Sequence, residues 1–97
     1  MNLSPANDFG DTLKTRFLGA QLHERIVTAL SAGDAVTVDF SGVKAMGHSF
    51  ADECFGTLFI EHGSDLFRTR LHLTAMNEGV KAVLRLVFKD RGTPARP

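Results

Sequence analysis

The chain has 97 residues, a formal net charge of zero and ordinary globular proportions of hydrophobic (43%) and charged (23%) residues. That length supports one domain with one modest core, and the balanced charge argues against the basic stripe of a nucleic-acid-binding surface. Cys54 is the single cysteine, which excludes an internal disulfide, and no apolar run is long enough to span a bilayer.

Residues 1–10 are polar, with Pro5 and Gly10, and leave room for a short edge strand over Met1–Leu3. The start, MNLSPANDFGD, lacks a basic segment followed by an apolar run, so no signal peptide and a cytoplasmic location are expected. A first helix is predicted from Asp11 or Thr12 to Leu30. Leu18, Leu22, Ile26 and Leu30 form its apolar stripe, with Gln21, Glu24, Arg25 and Thr28 opposite and Gly33 as its stop. Val36, Val38 and Phe40 alternate with Thr37 and Asp39, which predicts a strand broken by Ser41-Gly42.

The second helix is predicted from Ser49 to about Glu61. Ala51, Cys54, Phe55, Leu58 and Phe59 make one face, and Gly63 closes it. Leu71, Leu73 and Ala75 alternate with Arg70, His72 and Thr74 as a second strand. A third helix starts near Asn77, buries Val80, Val83, Leu84, Val87 and Phe88, and turns Lys81, Arg85 and Lys89 to water. Residues 93–97 read as a loose tail after a single domain over 1–92.

Strand, helix and strand in this order form a parallel crossover unit. Because each strand alternates, one face of the sheet is apolar and carries the helices, while the other is wet. The fold class is therefore α/β, a two-layer sandwich with helices mainly on one face. In such a unit Ser49 and Asn77, both read as helix N-caps, fall on one edge of the sheet.

The strand VTVDF, the turn SGV and the serine-led helix HSFADE, approached through DFGDTLKTRFLGAQL, resemble the STAS-like domain family of unknown function. That family is related to STAS domains of anti-sigma-factor antagonists. The resemblance runs roughly over residues 8–90 and implies a two-layer sandwich on a small, mostly parallel or mixed sheet. It also implies a regulatory interaction module whose helix-opening serine is phosphorylated; aligned through VDFSGV, that residue is Ser49. The implied partner is an ATPase of the histidine-kinase-like fold, acting as an anti-sigma factor or serine kinase. Two residues depart from the antagonist pattern: Gly47 stands in place of an aspartate and Phe50 in place of a small residue.

Read without the resemblance, Ser49 has two roles open to it. It can cap the helix, with Asp52 completing a capping box. It can also be a modification site whose phosphate meets a helix start and changes a docking surface. The expected partner-binding set is Gly47, His48, Ser49, Phe50, Asp52 and Asn77, with Phe50 either core or a partly exposed anchor. His48 and Asp52 are too few ligands for a metal site, so neither metal nor cofactor is expected. His23, His62 and His72 read as solvated. Asp39 and Glu53 lack the signs of an acid–base pair, and Asp39 alternatively caps the turn at Ser41. Cys54 reads as a buried structural thiol.

The leading expectation is a non-enzymatic regulatory module that binds a protein and neither nucleic acid nor membrane. The alternative is a constitutive adaptor or homodimer in which Ser49 is only a cap. A small phosphate ligand on a Ser49/Asn77 edge ranks last, since no lysine or arginine lies between Met46 and Glu61.

Overall fold

The computed structural model describes residues 1–92; the predicted tail over 93–97 lies outside them. In chain order the elements are β1 (Asn2–Leu3), α1 (Pro5–Phe9), β2 (Thr12–Leu13), α2 (Arg16–Ser31), β3 (Val36–Asp39) and β4 (Ala45–Met46). Then come α3 (His48–Ala51), a π-helical stretch (Asp52–Gly56), α4 (Thr57–His62), α5 (Ser64–Thr69), β5 (Leu71–Thr74) and α6 (Glu78–Gly92).

Three strands make a parallel sheet in the order β1-β3-β5. A second parallel pair joins β2 to β4, with Leu13 opposite Met46. The alternation in β3 and β5 works as read: Val36, Val38 and Leu71 are fully buried, whereas Thr37 and Asp39 are half-buried and His72 and Thr74 exposed. The helices cover the apolar side, and a single cluster of buried side chains joins both sheets to α2, the helix after β4, and α6. The architecture is the small α/β sandwich that the sequence predicted, with every strand pair parallel.

The first helix starts later than predicted. Thr15 is its cap, its hydroxyl accepting from the Leu18 N–H at 3.1 Å. The preceding Thr12–Leu13 leaves the helical phase to pair with β4 and sinks Leu13 completely. α1 was missed as well. Pro5 opens it and Gly10, at φ 95°, ends it. It is moored to α2 by Arg25, which lies 2.5 Å from Asp8 and over the Phe9 ring. α5 was missed too, set off from α4 by Gly63 at φ 75°.

The helix after β4 begins at His48, one residue before the predicted start, with Gly47 as its cap residue. The reason lies outside the helix. The Gly47 N–H donates to the Leu13 carbonyl at 2.7 Å, which holds Gly47 extended, and the Gly47 carbonyl accepts from Ala51. Ser49 is thus one residue into the first turn, not the cap. Asp52 is bound elsewhere, so the Ser49/Asp52 capping box does not form.

From His48 to His62 the backbone stays helical, but at the π stretch the Thr57 N–H reaches back five residues to the Asp52 carbonyl. Two glycines let this helix lie close to its neighbours. A Cβ on Gly19 of α2 would fall 2.6 Å from the Phe50 carbonyl oxygen. One on Gly56 would fall 2.9 Å from Asp52 Oδ1 and 3.1 Å from Val87 Cγ1 of α6.

The third helix follows the prediction. The Asn77 side chain accepts from the Val80 N–H at 2.8 Å as the N-cap, and its amide also donates to the Val43 and Lys44 carbonyls. Arg70, read as a residue of the wet sheet face, instead ties β5 to the end of α2. It donates to the Leu30 and Asp34 carbonyls at 2.7 and 2.9 Å, where a cation suits a helix C-terminus.

Candidate functional site

The first turn after β4 presents His48 and Ser49 to solvent. The Ser49 carbonyl accepts from the Asp52 N–H, but its hydroxyl makes no hydrogen bond to any of the described residues. Asp52 and Glu53, three and four residues on, share its side of the helix. Both carboxylates are held. Arg91 of α6 donates to Asp52 through Nε at 2.7 Å and Nη2 at 2.8 Å. Arg16, at the start of α2, lies 3.2 Å from Glu53 and 3.5 Å from Asp52.

The hydrogen bonds from Arg91 are the main cause that holds the Asp52 carboxyl below its ordinary value; partial burial opposes them, and Arg16 adds to the effect. The same pairing raises Arg91. The ridge next to Ser49 is therefore a fixed network of two carboxylates and two guanidinium groups.

Of the six residues predicted to bind a partner, the structure brings four to one surface: Gly47, His48, Ser49 and Asp52. Gly47 is half-buried against the backbone of Lys14. His48 Nε2 is 3.8 Å from Asp90 near the end of α6. Phe50 does not belong to the surface: it is fully buried, under the close crossing of Gly19.

Asn77 does not belong to it either. α6 is roughly 22 Å long, with Asn77 capping one end and Asp90, beside His48, near the other. The predicted shared edge of Ser49 and Asn77 is therefore absent, and with it the geometry for a phosphate held by both. The inserted strand β4 is the cause, because it carries the chain away from Asn77 before the helix starts.

The remaining candidates have structural partners. The Asp39 carboxylate accepts from the Ser41 N–H at 2.8 Å, and hydrogen bonds from Ser41, side chain then backbone, lower its pKa. Glu53 is occupied by Arg16. Cys54 is fully buried; burial, helped by the Glu53 charge, pushes its thiol well above the ordinary value. His23 departs from its solvated reading, since it is half-buried with Nε2 3.0 Å from Glu61. Among the described residues no cluster of His, Cys, Asp or Glu could hold a metal, and no helix is long and apolar enough to cross a membrane.

Two residues of this surface escaped the sequence reading: Arg16 and Arg91. Phe17, 70% exposed, lies on a different side of α2, in a groove with Ala20, Gln21, Glu24 and Arg25. Arg16 and Arg91 carry no local signal, because they meet Asp52 only in the folded chain.

A family model described as a STAS-like domain of unknown function matches residues 19–81. The chain belongs to this family. No curated protein and no solved structure matches it. The STAS-like match includes β3, β4, the Ser49 helix with its π stretch, β5 and the Asn77 cap. It leaves out Arg16 and Arg91, the two cations that hold Asp52 and Glu53.

Proposed function

We propose that this STAS-like protein is a non-enzymatic regulatory module that docks a partner protein through the surface of His48, Ser49 and Arg16. In this reading phosphorylation of Ser49 weakens docking. The observation that carries it is the exposed Ser49 hydroxyl, without a hydrogen-bond partner among the described residues, on the same helical side as Asp52 and Glu53. A serine needed only as a cap would be engaged with the backbone, and here Gly47 takes the cap position. In the constitutive-adaptor alternative, which binds through the wet sheet face or a strand edge, Ser49 would then have neither a cap nor a switch role.

A phosphate on Ser49 adds about −2 charge. It would stand beside two carboxylates already sharing Arg16, and would compete with them for that guanidinium. Arg16 is more than half exposed beside them, and arginine is among the types that concentrate interface energy. The partner class we propose is an ATPase of the histidine-kinase-like fold, acting as an anti-sigma factor or as the kinase of Ser49. A kinase partner needs ATP, which places the pair in the cytoplasm.

The test compares wild type, Ser49→Ala and Ser49→Asp as baits in host lysate, with bound proteins and Ser49 phosphate quantified by mass spectrometry. A kinase-like ATPase retained by wild type and Ser49→Ala, and lost from Ser49→Asp, supports the reading. Equal retention by all three contradicts it.

A further inference from the structure

Among the described residues β5 is an edge strand, with β3 on one side and no strand on the other. The carbonyls of Arg70 and Thr74 face β3, accepting from the Val36 and Phe40 N–H groups at 2.7 and 2.9 Å. Backbone polar groups alternate direction along a strand, so those of Leu71 and Leu73 point to the open side. Leu73 is half-buried, and beside it lies a groove of about 250 Å³ lined by Leu73, Met76, Lys81, Leu84, Arg85 and Phe88. The last four are spaced i, i+3, i+4 and i+7 and form one stripe of α6. Lys81 reaches Glu78 only at 3.5 Å, and Arg85 makes no ion pair among the described residues.

We propose that β5 and this groove take an extended acidic segment of a partner protein as an added strand. The open backbone of Leu73 would supply main-chain hydrogen bonds, and the groove would select side chains. Same-face residues of a strand recur about every 6.6 Å. Lys81 and Arg85, four apart on a helix, recur about every 6 Å. The matching ligand therefore has two carboxylates two positions apart on the groove face, followed two positions on by an apolar residue. A second copy of this chain fits poorly: β5 reads Leu-His-Leu-Thr and has no carboxylate, and a symmetric seam would bring both sets of Lys81 and Arg85 together. The opposite edge, β1, is only two residues long and is followed by Pro5, which limits strand addition there.

The test titrates the full chain with the peptide acetyl-Thr-Glu-Thr-Glu-Thr-Leu-Thr-amide, followed by amide NMR shifts and hydrogen exchange. The expected result is shifts at Leu73, Thr74, Leu84 and Arg85, slower exchange of the Leu73 amide, and binding about tenfold weaker for the lysine-for-glutamate peptide. The double change Lys81→Glu, Arg85→Glu, at a half-buried and an exposed position, should reverse that preference, with retained cooperative unfolding as its control. Four outcomes would overturn the proposal: no shifts at millimolar peptide, equal binding of both peptides, shifts confined to another surface, or a wild-type dimer in sedimentation that protects the Leu73 amide.

Discussion

Arg91 holds Asp52 through two hydrogen bonds, Nε to Oδ1 at 2.7 Å and Nη2 to Oδ2 at 2.8 Å, across the gap left by Gly56. This paired contact fastens α6 to the helix that carries Ser49, and the Asp52 side chain is only 15% exposed. Arg91→Ala should destabilise the protein by about 1–3 kcal/mol, because a mostly buried carboxylate loses its charge-assisted partner. Urea unfolding measures it.

The same pair sets an acid response. Asp52 is depressed below its ordinary value of 3.8 in the folded protein. Its contribution to stability is therefore complete above that value and disappears as the pH falls through the lower folded value. Asp39 shifts in the same direction. Wild-type stability should fall from about pH 4 downward. Asp52→Asn should be less stable at neutral pH and fall less steeply in acid. Equal slopes for the two proteins would remove Asp52 as the source.

The glycine crossings can be tested by adding one methyl group. Gly19→Ala gains about 1 kcal/mol of helix propensity, but its Cβ meets the Phe50 carbonyl at 2.6 Å. Backbone must move, and a net loss of about 2 kcal/mol is expected. Gly56→Ala meets the Asp52 carboxylate and the Val87 methyl. It should lose stability and also loosen the Arg91 contact, so its cost and that of Arg91→Ala should not add. A full double-mutant cycle checks this.

Ser49 and Asn77 were read alike from sequence, and their substitutions should now differ. Asn77→Ala removes a cap and two bonds to the Val43–Lys44 turn, and should cost about 1–2 kcal/mol. Ser49→Ala removes no hydrogen bond among the described residues and should change stability by less than about 0.5 kcal/mol. A cap-sized loss at Ser49 would return it to a structural role.

What the sequence revealed divides along physical lines. β3, β5, α2 and α6 were legible because their apolar residues repeat with the strand or helix period over enough residues to fix a face. Asn77 was legible because its cap is local. β2 and β4 were not, since two-residue strands show no period and exist only by pairing with each other. Thr12–Leu13 was absorbed into the helix because nothing local opposed it.

The Ser49 cap was misread for a related reason. Ser-x-x-Asp has the right spacing, but the cap was decided by the Leu13 carbonyl holding Gly47, and Asp52 was drawn away by Arg91. Phe50 could not be assigned to core or surface until Gly19 was seen to let α2 close over it.

The central claim is that charge on Ser49 controls docking. Its most direct measurement is a quantitative pull-down from host lysate with two baits: the unmodified full chain, and the same chain carrying phosphoserine in place of Ser49. The account predicts that an ATPase partner held by the unmodified chain is depleted at least about tenfold on the phosphorylated one, the scale of a few lost or repelled charged contacts. The same partners in the same amounts on both baits would contradict it.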